Sequence, residues 1–139
     1  MKKLIHFSSV DAFYRFPIEE PLLESRKLID DPNAVPYDLS KADGQKVVLQ
    51  FCEKGLDASI IHPTSIVGPN DFKPGLPMQE MVNLANGKRK LLPNWGYNFV
   101  DVRDLCLTAI SAVELGRTGQ NYIVGGDYHL YSYLSLIHI

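Results

Sequence analysis

Tyr37 and Lys41 stand four residues apart in Tyr37-Asp38-Leu39-Ser40-Lys41. That spacing sets a phenol and an ammonium on one face of a helix, within reach of a single ligand. An ammonium beside a phenol favours the phenolate, so the pair has the chemistry of a general acid or base acting on a carbonyl or hydroxyl oxygen. Taken alone, Y-x-x-x-K has little specificity, because the same spacing arises on any solvated helix face. Ser8-Ser9 ends the short apolar run Leu4-Ile5-His6-Phe7, and strand ends in a parallel sheet are where side chains meet ligands. Ser9 is thereby placed to hydrogen-bond the same substrate oxygen; the alternative for Ser8 and Ser9 is ordinary turn chemistry. His62, just before Pro63, reads as a structural histidine at a strand end. Arg103 and Asp104 open a helix, where Asp104 complements the N-terminal dipole, and they are assigned no chemistry.

The elements that must hold these residues follow from the pattern. Leu4–Phe7 is read as a buried strand. The stretch from Phe16 to Pro36 is rich in Pro and acids, without a sustained period, and is expected to be a surface excursion with at most one short helix. From Tyr37 to Lys54 the period becomes helical, with Leu39, Ala42, Val48, Phe51 and Cys52 on one side and Gly55 as the stop. Ala58–His62 is a second strand, followed by a loop-rich run through Gly68-Pro69 and Pro74-Gly75. A helix is expected over Met78–Ala85 and short strands at Lys90–Leu92 and Asn98–Val100. Val102–Leu115 reads as a helix with Leu105, Ala109, Ile110 and Val113 inward, before a last strand at Tyr122–Val124. Strands alternating with helices predict an α/β layer arrangement around a parallel sheet.

The 139 residues are 45% hydrophobic and 22% charged, an ordinary globular composition for about one domain. A net charge of −2 without a block of Lys or Arg argues against nucleic-acid binding. No apolar run approaches the roughly 18 residues of a membrane span, and Ser8, Ser9 and Asp11 interrupt the apolar start of the chain before it reaches signal-peptide length. A soluble, cytoplasmic protein is the expectation. Cys52 and Cys106 have no metal-ligand spacing and read as two small buried residues in a reducing compartment.

Four segments in order are recognisable: Leu4-Ile5-His6-Phe7-Ser8-Ser9-Val10-Asp11-Ala12-Phe13, then Tyr37-Asp38-Leu39-Ser40-Lys41-Ala42, then His62-Pro63-Thr64-Ser65-Ile66-Val67-Gly68-Pro69, then Phe99-Val100-Asp101-Val102-Arg103-Asp104-Leu105. Together, over nearly the whole chain, they resemble the extended short-chain dehydrogenase/reductase family, also called the NAD-dependent epimerase/dehydratase family. The resemblance implies an α/β fold, the C-terminal portion of a Rossmann-like doubly wound parallel sheet with part of the small substrate-binding region. It implies Tyr37 as proton donor or acceptor, Lys41 as the residue that holds the nicotinamide ribose and favours the Tyr37 phenolate, and Ser9 as the residue that orients the substrate oxygen. Pro63, Thr64 and Ser65 would line the nicotinamide end of an NAD or NADP pocket.

Nucleotide-sugar branches of that family typically carry an Arg just before the aromatic-Val-x-Val stretch and an Asn before the Val-Tyr-Gly-Pro-like turn, where this chain has Tyr97 and Ser65. The spelling looks more like the dihydroflavonol-reductase-like and 3β-hydroxysteroid-dehydrogenase-like branch. A ketone or aldehyde reductase is therefore expected, with a nucleotide-sugar epimerase or dehydratase, or a non-catalytic binding module on the same fold, as alternatives. A serine hydrolase is set aside for want of a G-x-S-x-G elbow.

The sequence contains no G-x-G-x-x-G or G-x-x-G-x-x-G turn of the kind that seats a dinucleotide pyrophosphate. Residues 1–133 are accordingly expected to be a partial domain, its catalytic and substrate side, inactive by itself. Residues 134–139 are expected to be an adapter-derived or truncated tail. The partners expected are a small-molecule substrate and, through the Tyr37 helix, a second copy of the full-length protein.

Overall fold

A computed structural model of the chain describes residues 3–88 and 94–130. The strand expected at Lys90–Leu92 and the tail 134–139 lie outside the described residues. The chain forms two compact units, Met1–Pro63 with Leu105–Val124, and Thr64–Asp104 with Gly125–Ile139.

The first unit is built on β1 (Leu4–Phe7), β2 (Ala58–Pro63) and β5 (Asn121–Val124), in the order β1-β2-β5. Both pairings are parallel, with Phe7 opposite Ile61 and His62 opposite Ile123. Every residue of the central strand β2 is buried, as a strand covered on both faces must be. Ile60 and Ile61 are fully enclosed, each contributing roughly 1.5–3 kcal/mol of apolar burial. Because side chains alternate along a strand, His6, Ser8, Ile60, His62 and Asn121 share one face.

Helix α1 (Pro36–Glu53) packs on that face. Pro at the first helical turn suits its fixed φ. The helix ends in a Schellman turn, Gly55 N donating to the Cys52 carbonyl and Leu56 N to the Phe51 carbonyl, with Gly55 at φ +97°. Its buried side is Asp38, Ala42 and Gln45. Phe51, expected inward, is exposed, because the seam runs through 38, 42 and 45 and turns residue 51 outward. Residues 16–35 are irregular, as expected of the excursion, and meet the unit through a bridge between Phe13 and Leu28.

On the opposite face, Ser59 Oγ donates to the Arg117 carbonyl, 3.0 Å away, just past the end of α3 (Val102–Leu115). The helix has the predicted bounds but a different inner side. Leu105 and Ala112 are buried, whereas Ile110 and Val113, expected inward, are exposed. On α3 Cys106 is exposed, and on α1 Cys52 is only half-buried, against the expectation of two buried thiols.

The second unit holds β3 (Ser65–Val67), α2 (Leu76–Ala85), β4 (Gly96–Asp101) and β6 (Tyr128–Leu130). Its sheet is mixed, with β3 parallel to β4 and β4 antiparallel to β6. The sequence reading missed β3 and β6, each three residues long, too short for an alternation to register. Among the described residues no helix is long and apolar enough to cross a membrane.

Candidate active site

The first two turns of α1 carry Tyr37 and Lys41 to the end of β1. Tyr37 is 52% exposed, and the Lys41 ammonium stands 5.7 Å from the centre of its ring, within cation–π range. Lys41 Nζ also donates to the Phe7 carbonyl over 3.5 Å. The predicted pair therefore lies on one helix face beside the strand end, with the phenol open to solvent.

Ser9 follows directly and is 6% exposed. It caps a 3-10 turn, Val10–Ala12, its hydroxyl accepting from the Asp11 backbone N–H and donating to Asp11 Oδ2, each at 3.2 Å. Arg15 then bridges Asp11 Oδ1 and Asp38 Oδ2 at 3.0 Å each. A short polar chain thus links Ser9 to Asp38, the neighbour of Tyr37. Burial pushes the Asp38 carboxyl above the usual carboxylate range, with Arg15 opposing and Asp11 adding to the rise. Beyond Ser9 a cavity of about 300 Å³ is lined by Val10, Phe13, Arg15, Ile18, Leu22 and Arg26 among others.

Under this turn lies a closed polar network. Ser8 Oγ donates to Gln45 Oε1 (3.1 Å), and Gln45 Nε2 donates to Asn121 Oδ1 (2.8 Å). Asn121 Nδ2 donates to the Glu24 carbonyl at 3.1 Å. His62 Nε2 lies 3.2 Å from the same Asn121 oxygen, and His62 Nδ1 lies 3.0 Å from the Ser9 carbonyl. Both oxygens only accept and a neutral ring has one N–H; the shorter contact, to Ser9, takes it, so Nδ1 carries the hydrogen and Nε2 only abuts Asn121 Oδ1. Phe13 stacks on the His62 ring with centroids 4.4 Å apart. Burial holds the His62 pKa below its usual value, against the Ser9 and Asn121 acceptors, which raise it. His6 is lowered as well, first by burial and then by the charges of Lys41 and His62.

Sequence reasoning passed over Gln45 and Asn121. The available signal was positional, since Gln45 falls at the helical spacing of Asp38 and Ala42, where an apolar residue belongs. Of the residues expected at a cofactor, Pro63 is the buried last residue of β2, whereas Thr64 and Ser65 belong to the second unit. There Ser65 opens β3 opposite Phe99 of β4. Asp101, where β4 ends, is held down to about 2 by the Arg103 guanidinium.

Known proteins resemble this chain in sequence and fold. "Sterol demethylase protein B" of Methylococcus capsulatus is 32% identical over 92 residues, covering 66% of this chain and 28% of that protein. A protein of Synechocystis named "Putative dihydroflavonol 4-reductase" is 29% identical over 121 residues, covering 84% of this chain and 32% of that one. The crystal structure of gox2253 superposes with a TM-score of 0.90 at 31% identity, over 99% of this chain and 43% of the other. The chain thus spans about a third of the length of the curated relatives it matches. The profile of the NAD dependent epimerase/dehydratase family matches residues 1–125, and the chain belongs to that family.

Proposed function

We propose that this chain carries the catalytic side of a cytoplasmic NAD- or NADP-dependent reductase or dehydrogenase acting on a ketone, an aldehyde or the matching secondary alcohol. The observation that supports it is the pairing of the exposed Tyr37 phenol with the Lys41 ammonium next to the Ser9 turn that ends β1. The donor set fits the ribose and nicotinamide end of a dinucleotide. An ammonium has three N–H groups, and the hydrogen bond from Lys41 to the Phe7 carbonyl is a long one, 3.5 Å, which leaves it able to hold ribose hydroxyls. Pro63 would border the nicotinamide from the end of β2, and the family resemblance alone assigns Thr64 and Ser65 to the cofactor. The sequence offers no glycine turn for the pyrophosphate, so residues outside this chain would supply that grip.

The bound nicotinamide supplies or accepts the hydride, the part of the chemistry that side chains cannot perform. Tyr37 gives its phenolic proton to the substrate oxygen in the reductive direction and takes it back in the oxidative one. Ser9 holds the same oxygen by turning its hydroxyl from Asp11. The cavity past Ser9, where apolar side chains stand with Arg15 and the Arg26–Glu20 pair, would take the remainder of the substrate. The likeness to the Synechocystis relative favours a reductase over a nucleotide-sugar epimerase. A second copy would pair along α1.

The test is NADH and NADPH consumption by the full-length gene product with a dihydroflavonol and with simple aromatic ketones and aldehydes, alongside a nucleotide-sugar epimerisation assay. Stoichiometric cofactor oxidation that Tyr37→Phe lowers by about 10²–10⁴-fold supports the reading. Epimerisation without net cofactor turnover, or a Tyr37→Phe variant of undiminished activity, overturns it.

A further inference from the structure

We propose that His62 is a positioning residue for Ser9: its Nδ1–H holds the Ser9 carbonyl, and its Nε2 edge meets Asn121, which Gln45 ties to α1 and to Ser8. The turn after β1 is thereby gripped at both of its serines from two other elements. Ser8 is held through its hydroxyl by Gln45 (3.1 Å) and Ser9 through its carbonyl by His62 (3.0 Å). Gln45 in turn donates to Asn121 Oδ1 at 2.8 Å, the oxygen that the unprotonated Nε2 of His62 faces at 3.2 Å with no hydrogen between them. Gln45 and His62 are fully buried, and the Phe13 ring closes over the imidazole, so water cannot substitute for either contact.

The consequence lies at the Ser9 side chain. A residue whose carbonyl is fixed, and whose hydroxyl caps the following turn through the Asp11 amide, has little freedom left to wander from the helix that carries Tyr37 and Lys41. A hydroxyl meant to share one substrate oxygen with a phenol needs that constraint, since a displacement of about 1 Å can cost on the order of a hundredfold in rate. A strand-end histidine kept only for packing would have no need of a donor aimed at the carbonyl of this residue.

The inference rests on the reading of Ser9 as the hydroxyl that orients substrate, but its primary test needs no substrate. In full-length protein with 15N-labelled histidine, the His62 ring should show a slowly exchanging Nδ1–H coupled to the Ser9 carbonyl carbon; a ring with Nδ1 unprotonated overturns the proposal without any substitution. Hydrogen exchange at the Asp11 amide then reports whether the Ser9 hydroxyl keeps its place. His62→Leu should speed that exchange about tenfold or more, and His62→Asn, whose amide N–H falls near the position of Nδ1, should restore it. His62→Gln, which reaches toward the Nε2 position, should not.

The Gly119 amide, bonded to the Ala58 carbonyl at 2.7 Å in the same unit, serves as the control. An equal rise there, or equal behaviour of the Leu and Asn variants, makes His62 a packing residue and overturns the proposal. In turnover, His62→Leu should lower kcat with little change in the KM for cofactor. An inactive Ser9→Ala beside a fully active His62→Leu overturns this inference alone. A fully active Ser9→Ala overturns the role of Ser9 itself, and with it any catalytic purpose for the grip.

Discussion

Lys41 holds its ammonium 5.7 Å from the centre of the Tyr37 ring and 3.5 Å from the Phe7 carbonyl, so one side chain joins the N-terminal part of α1 to the end of β1. Under the proposed function the two residues have separable duties, and substitutions should separate them. Lys41→Met removes a charged donor and is expected to weaken cofactor binding by roughly 10- to 100-fold, the usual worth of hydrogen bonds to a charged group. Tyr37→Phe keeps the ring and loses the proton, so turnover should fall while cofactor affinity holds. Fluorescence titration with NADH and NADPH, beside steady-state rates, reads both quantities. Parallel losses in the two variants would contradict the division of labour.

Gln45 is a fully buried amide in a helix seam, and its stabilising effect depends on both of its partners. Gln45→Leu fills the space with apolar atoms while leaving the Ser8 hydroxyl without its acceptor and Asn121 Oδ1 without its donor. The expected cost is about 1–3 kcal/mol, the penalty for stranding buried polar groups. Urea denaturation of the full-length protein measures it. An unchanged midpoint at unchanged slope would mean that the network contributes no net stability.

What the sequence discloses, and what it hides, follows from this same seam. Strands β1, β2, β4 and β5 and helices α1, α2 and α3 are legible because each carries a period or a stop residue of its own. Gly55 and the Asn86-Gly87 pair mark real helix ends. The inner faces are less legible. Periodicity assumes that the apolar side is the buried side, yet α1 buries Asp38 and Gln45 while exposing Phe51, and α3 exposes Ile110 and Val113. Tyr37, Lys41 and Ser9 were readable because their chemistry depends on local spacing. The partnership of His62 with Ser9 was not, since it crosses 53 positions of sequence and exists only through strand register. Nor was β6, whose three residues are a strand by virtue of the β4 backbone alone.

That dependence of β6 on β4 makes Gly96 a sensitive position. A Cβ built at Gly96 would lie 1.9 Å from the His129 carbonyl oxygen and 2.7 Å from Leu130 Cα, both backbone atoms of the antiparallel partner opposite it. Neither can step aside without opening the pairing. Gly96→Ala is expected to destabilise by about 1–3 kcal/mol, the range for overpacking, and to speed amide exchange in β6 before any change reaches β1 or β2. Exchange mass spectrometry resolves the two regions. Uniform protection after the substitution would show that the strands part without cost.

Acid should loosen the first unit before its carboxylates begin to titrate. His6 and His62 both have pKa values below the usual imidazole value, in each case mainly through burial. A buried ring that resists protonation binds fewer protons folded than unfolded, so stability falls with falling pH across the window from about 6.5, the unfolded value, down to the folded one, and then levels off. The charged groups acting on these rings are Lys41, which together with His62 depresses His6, and Glu24, which opposes the fall at His62. Asp38 works in the other direction. Its raised value means that protonation relieves a folded-state cost, so its contribution grows as pH drops toward the carboxylate range. Urea midpoints should therefore decline between about pH 7 and pH 5.5, and His62→Asn should flatten part of that decline while keeping the donor to Ser9. A midpoint that holds steady across the window would mean that the two rings accept protons in place, with Glu24 compensating at His62 what burial withholds.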